Sequence, residues 1–258
     1  MRLFLQFVSL SDRYERKARL LPGLLLAAVP ALTLGAVLQE FAAWYTATSS
    51  AVGVEFLVAI ILGQLARARG RHVEEVMWKA WGGPPTMRWL RPWDQTCSEQ
   101  QKSKWRGAIK RLTGLTLPAS IPQDGTQEEV DRQIADATRQ LRYALRAKPE
   151  AALLATHNED YGFARNLCGV RWHWVALSVA CLLGCGVAFA FGLRPYLGLA
   201  IAGAFTIASI LVASELPEYV RRCADRYAES LFAAAYLVSP SAGDAAKQSK
   251  DTTEGKRS

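Results

Sequence analysis

The sequence predicts an all-α polytopic membrane protein, two transmembrane helical hairpins flanking a cytosolic helical domain. Three observations predict it. The chain has 258 residues, half of them hydrophobic, and a net charge of +8, yet the charges avoid a few long windows. Residues 20–38, 174–193 and 195–214 carry no charged side chain, and 51–66 carries only Glu55. A helix needs about 20 apolar residues to cross a hydrocarbon core of about 30 Å, so three windows suffice as they stand. The fourth suffices if its helix begins within 44–48, which gives a span over 46–66. Between the second and third windows, apolar residues recur every three or four positions, the period of half-buried helices, and no strand-like alternation competes.

Orientation follows from the Lys and Arg residues near the membrane ends. Arg2, Arg13, Arg16, Lys17 and Arg19 precede the first span, and none lies in 39–50. Arg67, Arg69 and Arg71 follow the second span, and Arg165 and Arg171 precede the third. The turn before the fourth span holds only Arg194, whereas Arg221, Arg222 and Arg226 follow that span. The large basic clusters therefore fall on one side, and both termini and the middle segment are expected in the cytoplasm, with the lipid bilayer as the first partner. The first apolar run exceeds the 7–15 residues of a signal-peptide core and is read as a retained helix. Cys97, Cys168, Cys181, Cys185 and Cys223 form no C-x-x-C pair and are expected to be free thiols.

Residues 1–19 form an N-terminal cytosolic or interfacial segment, apolar over 3–10 and basic after it. The first hairpin occupies 20–66; Pro30 interrupts its first helix, and Trp44 and Tyr45 suit the outer interface. Glu55 is the one ionisable group within a span, and a carboxylate in lipid is costly, which makes it a candidate intramembrane functional residue. The cytosolic domain covers 67–171. Its first helix continues from the second span and stops at Trp81-Gly82-Gly83-Pro84-Pro85-Thr86. Trp78, Trp81, Trp89 and Trp93 are read as core or interface anchors.

Ser98 and Gln101 open a helix to Leu112, with Trp105, Ala108, Ile109 and Leu112 as its apolar face. Lys102, Arg106 and Lys110 form a basic stripe on that helix, a candidate contact for a phosphate or lipid headgroup, set against the plainer reading of a solvated face. Thr126 and Glu129 form a second capping box, and Val130, Ile134, Ala137, Leu141 and Leu145 follow as a buried stripe. Pro149 starts the last helix of the domain.

That helix leads into the densest polar stretch, 157–174. Asn158, Glu159, Asp160, Arg165, Asn166 and Arg171 form a candidate functional cluster in which Arg165 and Asn166 suit a phosphate or carboxylate. The alternative is a structural corner, with Gly162 and Gly169 supplying special backbone angles. The second hairpin covers 172–214. Ala180, Gly184, Ala188 and Gly192 recur every four residues, a pattern that lets another backbone approach and suits a homo-oligomer; Gly198 and Ala202 do the same on the fourth span. Residues 215–238 are read as an amphipathic helix entered at Pro217, and 239–258 as a disordered tail.

Nucleotide-loop, dinucleotide, nucleophile-elbow and zinc-protease motifs are missing from the sequence. His72, His157 and His173 lack the spacing of zinc ligands, so no metal and no cofactor is expected, nor a nucleic-acid partner. Trp81-Gly82-Gly83-Pro84 with Thr86, Leu90 and Arg91, then Asn158, Tyr161-Gly162-Phe163, Arg165-Asn166-Leu167 and Gly169, resemble two segments shared by an uncharacterised bacterial inner-membrane protein family: W-G-G-x-P-T-x-x-x-L-R and E-N-x-x-Y-G-F-R-R-N-L-x-G-x-K. The chain departs from that pattern around Pro85 and at His157, Ala164 and Arg171. The resemblance implies a bacterial inner membrane and no defined activity. The leading functional expectation is a regulated effector or sensor, pore-forming if oligomeric, in which a small-molecule or protein regulator acts on the cytosolic domain. Behind it stand a membrane-surface enzyme using Glu159 or Asp160 with Arg165, and a small transporter centred on Glu55.

Overall fold

In the computed structural model the described residues are 15–37, 52–123, 125–146 and 148–239. Among them every regular element is helical. A π-helical turn, Glu15–Leu20, enters α1 (Leu21–Val37). Then come α2 (Val52–Ala80), the one-turn α3 (Pro85–Arg88), α4 (Glu99–Thr113) and α5 (Gln127–Leu145). A 3-10 turn, Pro149–Ala151, leads into α6 (Ala152–Ala190), and α7 (Tyr196–Val238) completes the order. The expected interfacial segment at 3–10, the aromatic pair Trp44 and Tyr45, the start of the second span, and the tail from 240 onward lie outside the described residues, as does the side chain of Glu55.

The chain divides into two compact units, 1–77 with 158–223, and 78–157 with 224–258. These boundaries differ from the expected domain of 67–171, and they fall inside α2, α6 and α7. Two long continuous helices replace expected breaks. Residues 157–174 form no corner, because α6 runs straight through them. Gly162 and Gly169 keep ordinary helical backbone, and positive φ among the described residues is confined to Gly82, Gly83, Gly114 and Gly192. Pro217 likewise sits inside α7. A mid-helix proline forfeits one backbone hydrogen bond, and burial of the adjacent Leu216 and Val220 helps hold the helix together there.

In the first unit, contacts fix the direction of each helix. Glu74 meets Tyr161 and Arg165, Gly70 meets Asn166 and Gly169, and Leu62 lies in the cluster of Trp174 and Leu177. As α2 advances α6 retreats, so the two are antiparallel. The seam on α2 therefore reads Leu62, Ala66, Gly70, Glu74, one residue per helical turn, with Ala66 wholly buried. In α1, Leu26 and Val29 pack on Trp174, while Thr33 and Val37 approach Gly198. A Cβ added to Gly198 would stand 2.6 Å from Val37 Cγ2 and 3.3 Å from Cys185 Sγ. Gly198 with the fully buried Ala202 thus provides the close approach read from their spacing. Outside this seam, large apolar side chains remain uncovered, including Leu32 and Leu34, Ile61, Leu183 and Val187, and Ile207 and Leu211.

The second unit has its own core. Trp105 stacks between Trp89 (6.1 Å) and Phe232 (4.5 Å), with Ile109, Val130, Ile134, Leu141, Leu145 and Leu231 around them. Residues 224–238 of α7, within the stretch read as an amphipathic helix, place Ala228, Leu231, Phe232, Ala234 and Ala235 in this core. The five predicted α5 stripe residues are all buried here. Thr126 and Glu129 close the capping box, and Ser98 accepts from the Gln101 amide at 3.2 Å. Gly114 (φ 74°) ends α4 in the left-handed conformation that glycine adopts without steric cost.

Candidate functional site

The polar groups of the first unit converge on the α2–α6 seam, where the helices come together at backbone distance. A Cβ on Gly169 would stand 2.3 Å from the Gly70 nitrogen, and one on Gly70 would stand 2.8 Å from Asn166 Cα. Only glycine permits that spacing. One turn along α2, Glu74 is 8% exposed. Its carboxylate accepts from the Tyr161 hydroxyl at 2.6 Å and from Arg165 Nη1 at 3.2 and 3.0 Å. Arg165 Nε also donates to Asn166 Oδ1 at 3.3 Å, and Asn166 Nδ2 donates to the Ala18 carbonyl at 2.6 Å. Lys17 pairs with Asp160 at 2.5 Å. The cluster therefore ties the N-terminal turn, α2 and α6 together, and its interior charges offset each other.

Four of the six predicted cluster residues are placed in this arrangement or beside it. Asp160, Arg165 and Asn166 are joined as described, and Glu159 is buried in the same stretch of α6. Asn158 is half-buried. Arg171 lies apart from the knot: its Nη1 donates to the Cys168 carbonyl at 3.0 Å and to Cys168 Sγ at 2.8 Å, and its guanidinium lies 5.7 Å from the Trp172 ring centre. Sequence reasoning missed Glu74, Tyr161, Ala66 and Gly70. The signal was present in the four-residue spacing of Ala66, Gly70 and Glu74, hidden among the arginines that dominate that stretch.

The basic stripe on α4 does not face outward as a set. Lys102 is 1% exposed. Its Nζ donates to the carbonyls of Arg91 (3.1 Å) and Asp94 and to Glu99 Oε1 (2.7 Å). Arg106 is buried too, donating to the Leu90 carbonyl at 3.1 Å and to Glu99 at 3.4 Å. Only Lys110 is exposed. The reading of three cations aligned for a phosphate is therefore corrected. The two long cations turn inward and donate to the carbonyls of the loop after α3, at Leu90, Arg91 and Asp94. The hydrogen bond from Lys102 holds the Glu99 carboxyl below its ordinary pKa.

The Trp81–Arg91 segment is explained in the same way. Gly83 N donates to the Trp78 carbonyl at 2.7 Å, and Gly82 and Gly83 take φ of 75° and 118° to end α2. Arg88 donates to the Trp81 carbonyl at 3.0 Å. Arg91 donates to the Gly82 carbonyl and grips both oxygens of Asp131 at 2.7 Å, joining this turn to α5. The fork geometry of guanidinium suits that paired contact.

On α6, Ala180 is exposed, Gly184 has nothing within 4 Å of an added Cβ, Ala188 is half-buried, and Gly192 lies past the helix end at φ 83°. Gly184 and Gly192 of the small-residue stripe thus meet no neighbour among the described residues. Nor do those residues contain a group of three or more His, Cys, Asp or Glu side chains placed to hold a metal ion. No protein-family model, curated protein or solved structure matches the chain.

Proposed function

We propose that the protein is a four-span bacterial inner-membrane effector or sensor of the resembled family, with both termini and the helical unit of 78–157 and 224–238 on the cytoplasmic side. In this reading a small molecule or partner protein acts on that unit, and the response passes into two transmembrane hairpins, α1–α2 and α6–α7. The observation that carries it is the location of the unit boundaries inside α2, α6 and α7. These three helices continue past the boundaries, and in this reading they are the route of the response.

Several features support the membrane part. α6 and α7 are long and apolar enough to cross a bilayer, and only 11% and 22% of their most apolar windows are buried. The core helix of a soluble protein would be mostly buried, and exposed apolar surface on this scale calls for a nonaqueous neighbour. The buried Glu74–Arg165–Tyr161 knot lies on the seam through which movement would pass. An enzyme using Arg165 to hold an anion is less well supported, because Arg165 already closes on Glu74 and Asp160 on Lys17.

The test is coupling itself. Nanobodies raised against segment 78–157 are bound to the full chain in lipid nanodiscs, and amide exchange is followed at 165–170 of α6. Changed protection there is expected for binders that stiffen the unit. Unchanged protection with every binder would leave the membrane helices as a passive anchor.

A further inference from the structure

The face of α5 turned away from the core carries Glu128, Arg132, Asp136, Arg139 and Tyr143 and is continued by Arg146, the residue that caps the helix, at spacings of four, four, three, four and three. All six are exposed, with Asp136 62%, Arg139 64% and Tyr143 69% accessible. At 3.6 residues per turn they form one stripe along the helix. It lies opposite Val130, Ile134, Ala137, Leu141 and Leu145, which the core takes up. Ordinary solvation and complementation of the helix dipole account for acids early and arginines late. Pairing within the helix at three and four residues suits the order of charges too, but none of these accounts for a tyrosine this exposed near the C-terminal end of the stripe.

That order is self-complementary. Read from its midpoint between Asp136 and Arg139, the stripe places an acid where its reverse places a base. We propose that α5 is a homodimerisation helix, its stripe pairing antiparallel with the same stripe of a second copy. In that register Asp136 meets Arg139 of the other copy, Arg132 meets Tyr143, and Glu128 meets Arg146, each twice about a two-fold axis. Arg over Tyr is a cation–π contact, and the other two are ion pairs. The intrahelical Asp136–Arg139 pair at 3.7 Å is long and exposed, so it exchanges readily for its symmetric counterpart. Nucleic acid or an anionic membrane would use the three arginines and leave Glu128 and Asp136 opposed to its own charge. A second copy uses both signs. The face is one helix wide, so the dimer is of the small, salt-sensitive kind. It is carried by α5 alone and stands whether or not the other unit spans a membrane.

The experiment uses the purified full chain in detergent, with mass measured by light scattering at low and high salt. The native chain is expected to dimerise at low salt and to dissociate as salt approaches about 1 M, where the screening length falls to about 3 Å. Glu128→Arg alone and Arg146→Glu alone each break two symmetric pairs and are expected to weaken the dimer on the order of tenfold. An equimolar mixture of the two variants restores both pairs and is expected to dimerise again, which a folding defect in either would prevent. A native chain that stays monomeric at low salt, a dimer indifferent to both substitutions, or a mixture no tighter than its components would overturn the proposal.

Discussion

The Tyr161 hydroxyl on α6 donates to Glu74 on α2 at 2.6 Å, and Arg165 grips the same carboxylate. Both side chains of this salt bridge are largely buried, with 14% of the Arg165 side chain and 10% of the Glu74 side chain exposed. Breaking such a pair from one side leaves an uncompensated buried charge, which costs about 3–5 kcal/mol. Glu74→Ala and Arg165→Ala are each expected to destabilise by that order, and Glu74→Met with Arg165→Met by less than the sum of the single methionine changes. Tyr161→Phe removes one hydrogen bond to a charged group, a loss of about 1.5–3 kcal/mol. Denaturant unfolding of the purified variants, read as a double-mutant cycle, checks all of these.

Backbone contact between Gly70 and Gly169 sets a second expectation. Gly169→Ala would put a methyl 2.3 Å from the Gly70 nitrogen, forcing the helices apart at a cost of about 1–3 kcal/mol. Gly184→Ala meets nothing within 4 Å and gains helix propensity, so it is expected to be neutral or stabilising by up to about 1 kcal/mol. Thermal unfolding in one detergent compares the two directly. Opposite ranking would mean that the small-residue stripe on α6 is the packed one.

Lys102 and Lys110 share a helix and differ in everything else. Lys102→Met strips the donor from two loop carbonyls and Glu99, and is expected to cost about 1–3 kcal/mol. Lys110→Met alters an exposed position and is expected to stay within about 0.5 kcal/mol. Far-UV circular dichroism during urea unfolding measures both.

Glu99 gives the loop around Lys102 an acid dependence. Its carboxyl is lowered from an ordinary 4.5 by the hydrogen bond from Lys102. A group depressed in the folded state contributes stability above its unfolded pKa and loses it as pH falls through the lower, folded value. The stability difference between the native chain and Glu99→Gln is therefore expected to be constant above about pH 5 and to shrink as pH drops below 4.5. A difference that grows on acidification would contradict the Lys102–Glu99 contact.

How much of this was legible in the sequence depends on the range of the interaction. The helices, the caps at Ser98, Thr126 and Gly114, and the α5 stripe rest on periodicity and local hydrogen bonding, and they follow from residues within a few positions of one another. The glycine and arginine roles at 82–91 were half legible: the helix stop is local, but the grip of Arg91 on Asp131 spans forty residues. Lys102 looked exposed because charge alone does not show which loop carbonyls fold back within its reach. The α2–α6 seam was half legible: Ala66, Gly70 and Glu74 share one face at four-residue spacing, but no pattern within α2 names Tyr161 as the partner of Glu74. Breaks expected at 157–174 and Pro217 failed for a related reason, since tertiary packing carries a helix through residues that would end it in isolation.

The claim that two helical hairpins cross a membrane, with the middle segment inside, is tested most directly by labelling two introduced cysteines. Arg194→Cys lies in the turn between α6 and α7, and Ser120→Cys in the loop between α4 and α5; both positions are exposed. Intact bacterial cells expressing either variant are treated with a membrane-impermeant maleimide, and labelled peptides are identified by mass. The account predicts labelling at 194 in intact cells and at 120 only after the inner membrane is opened. Equal labelling of both in intact cells, or recovery of the chain in the soluble fraction, would contradict it.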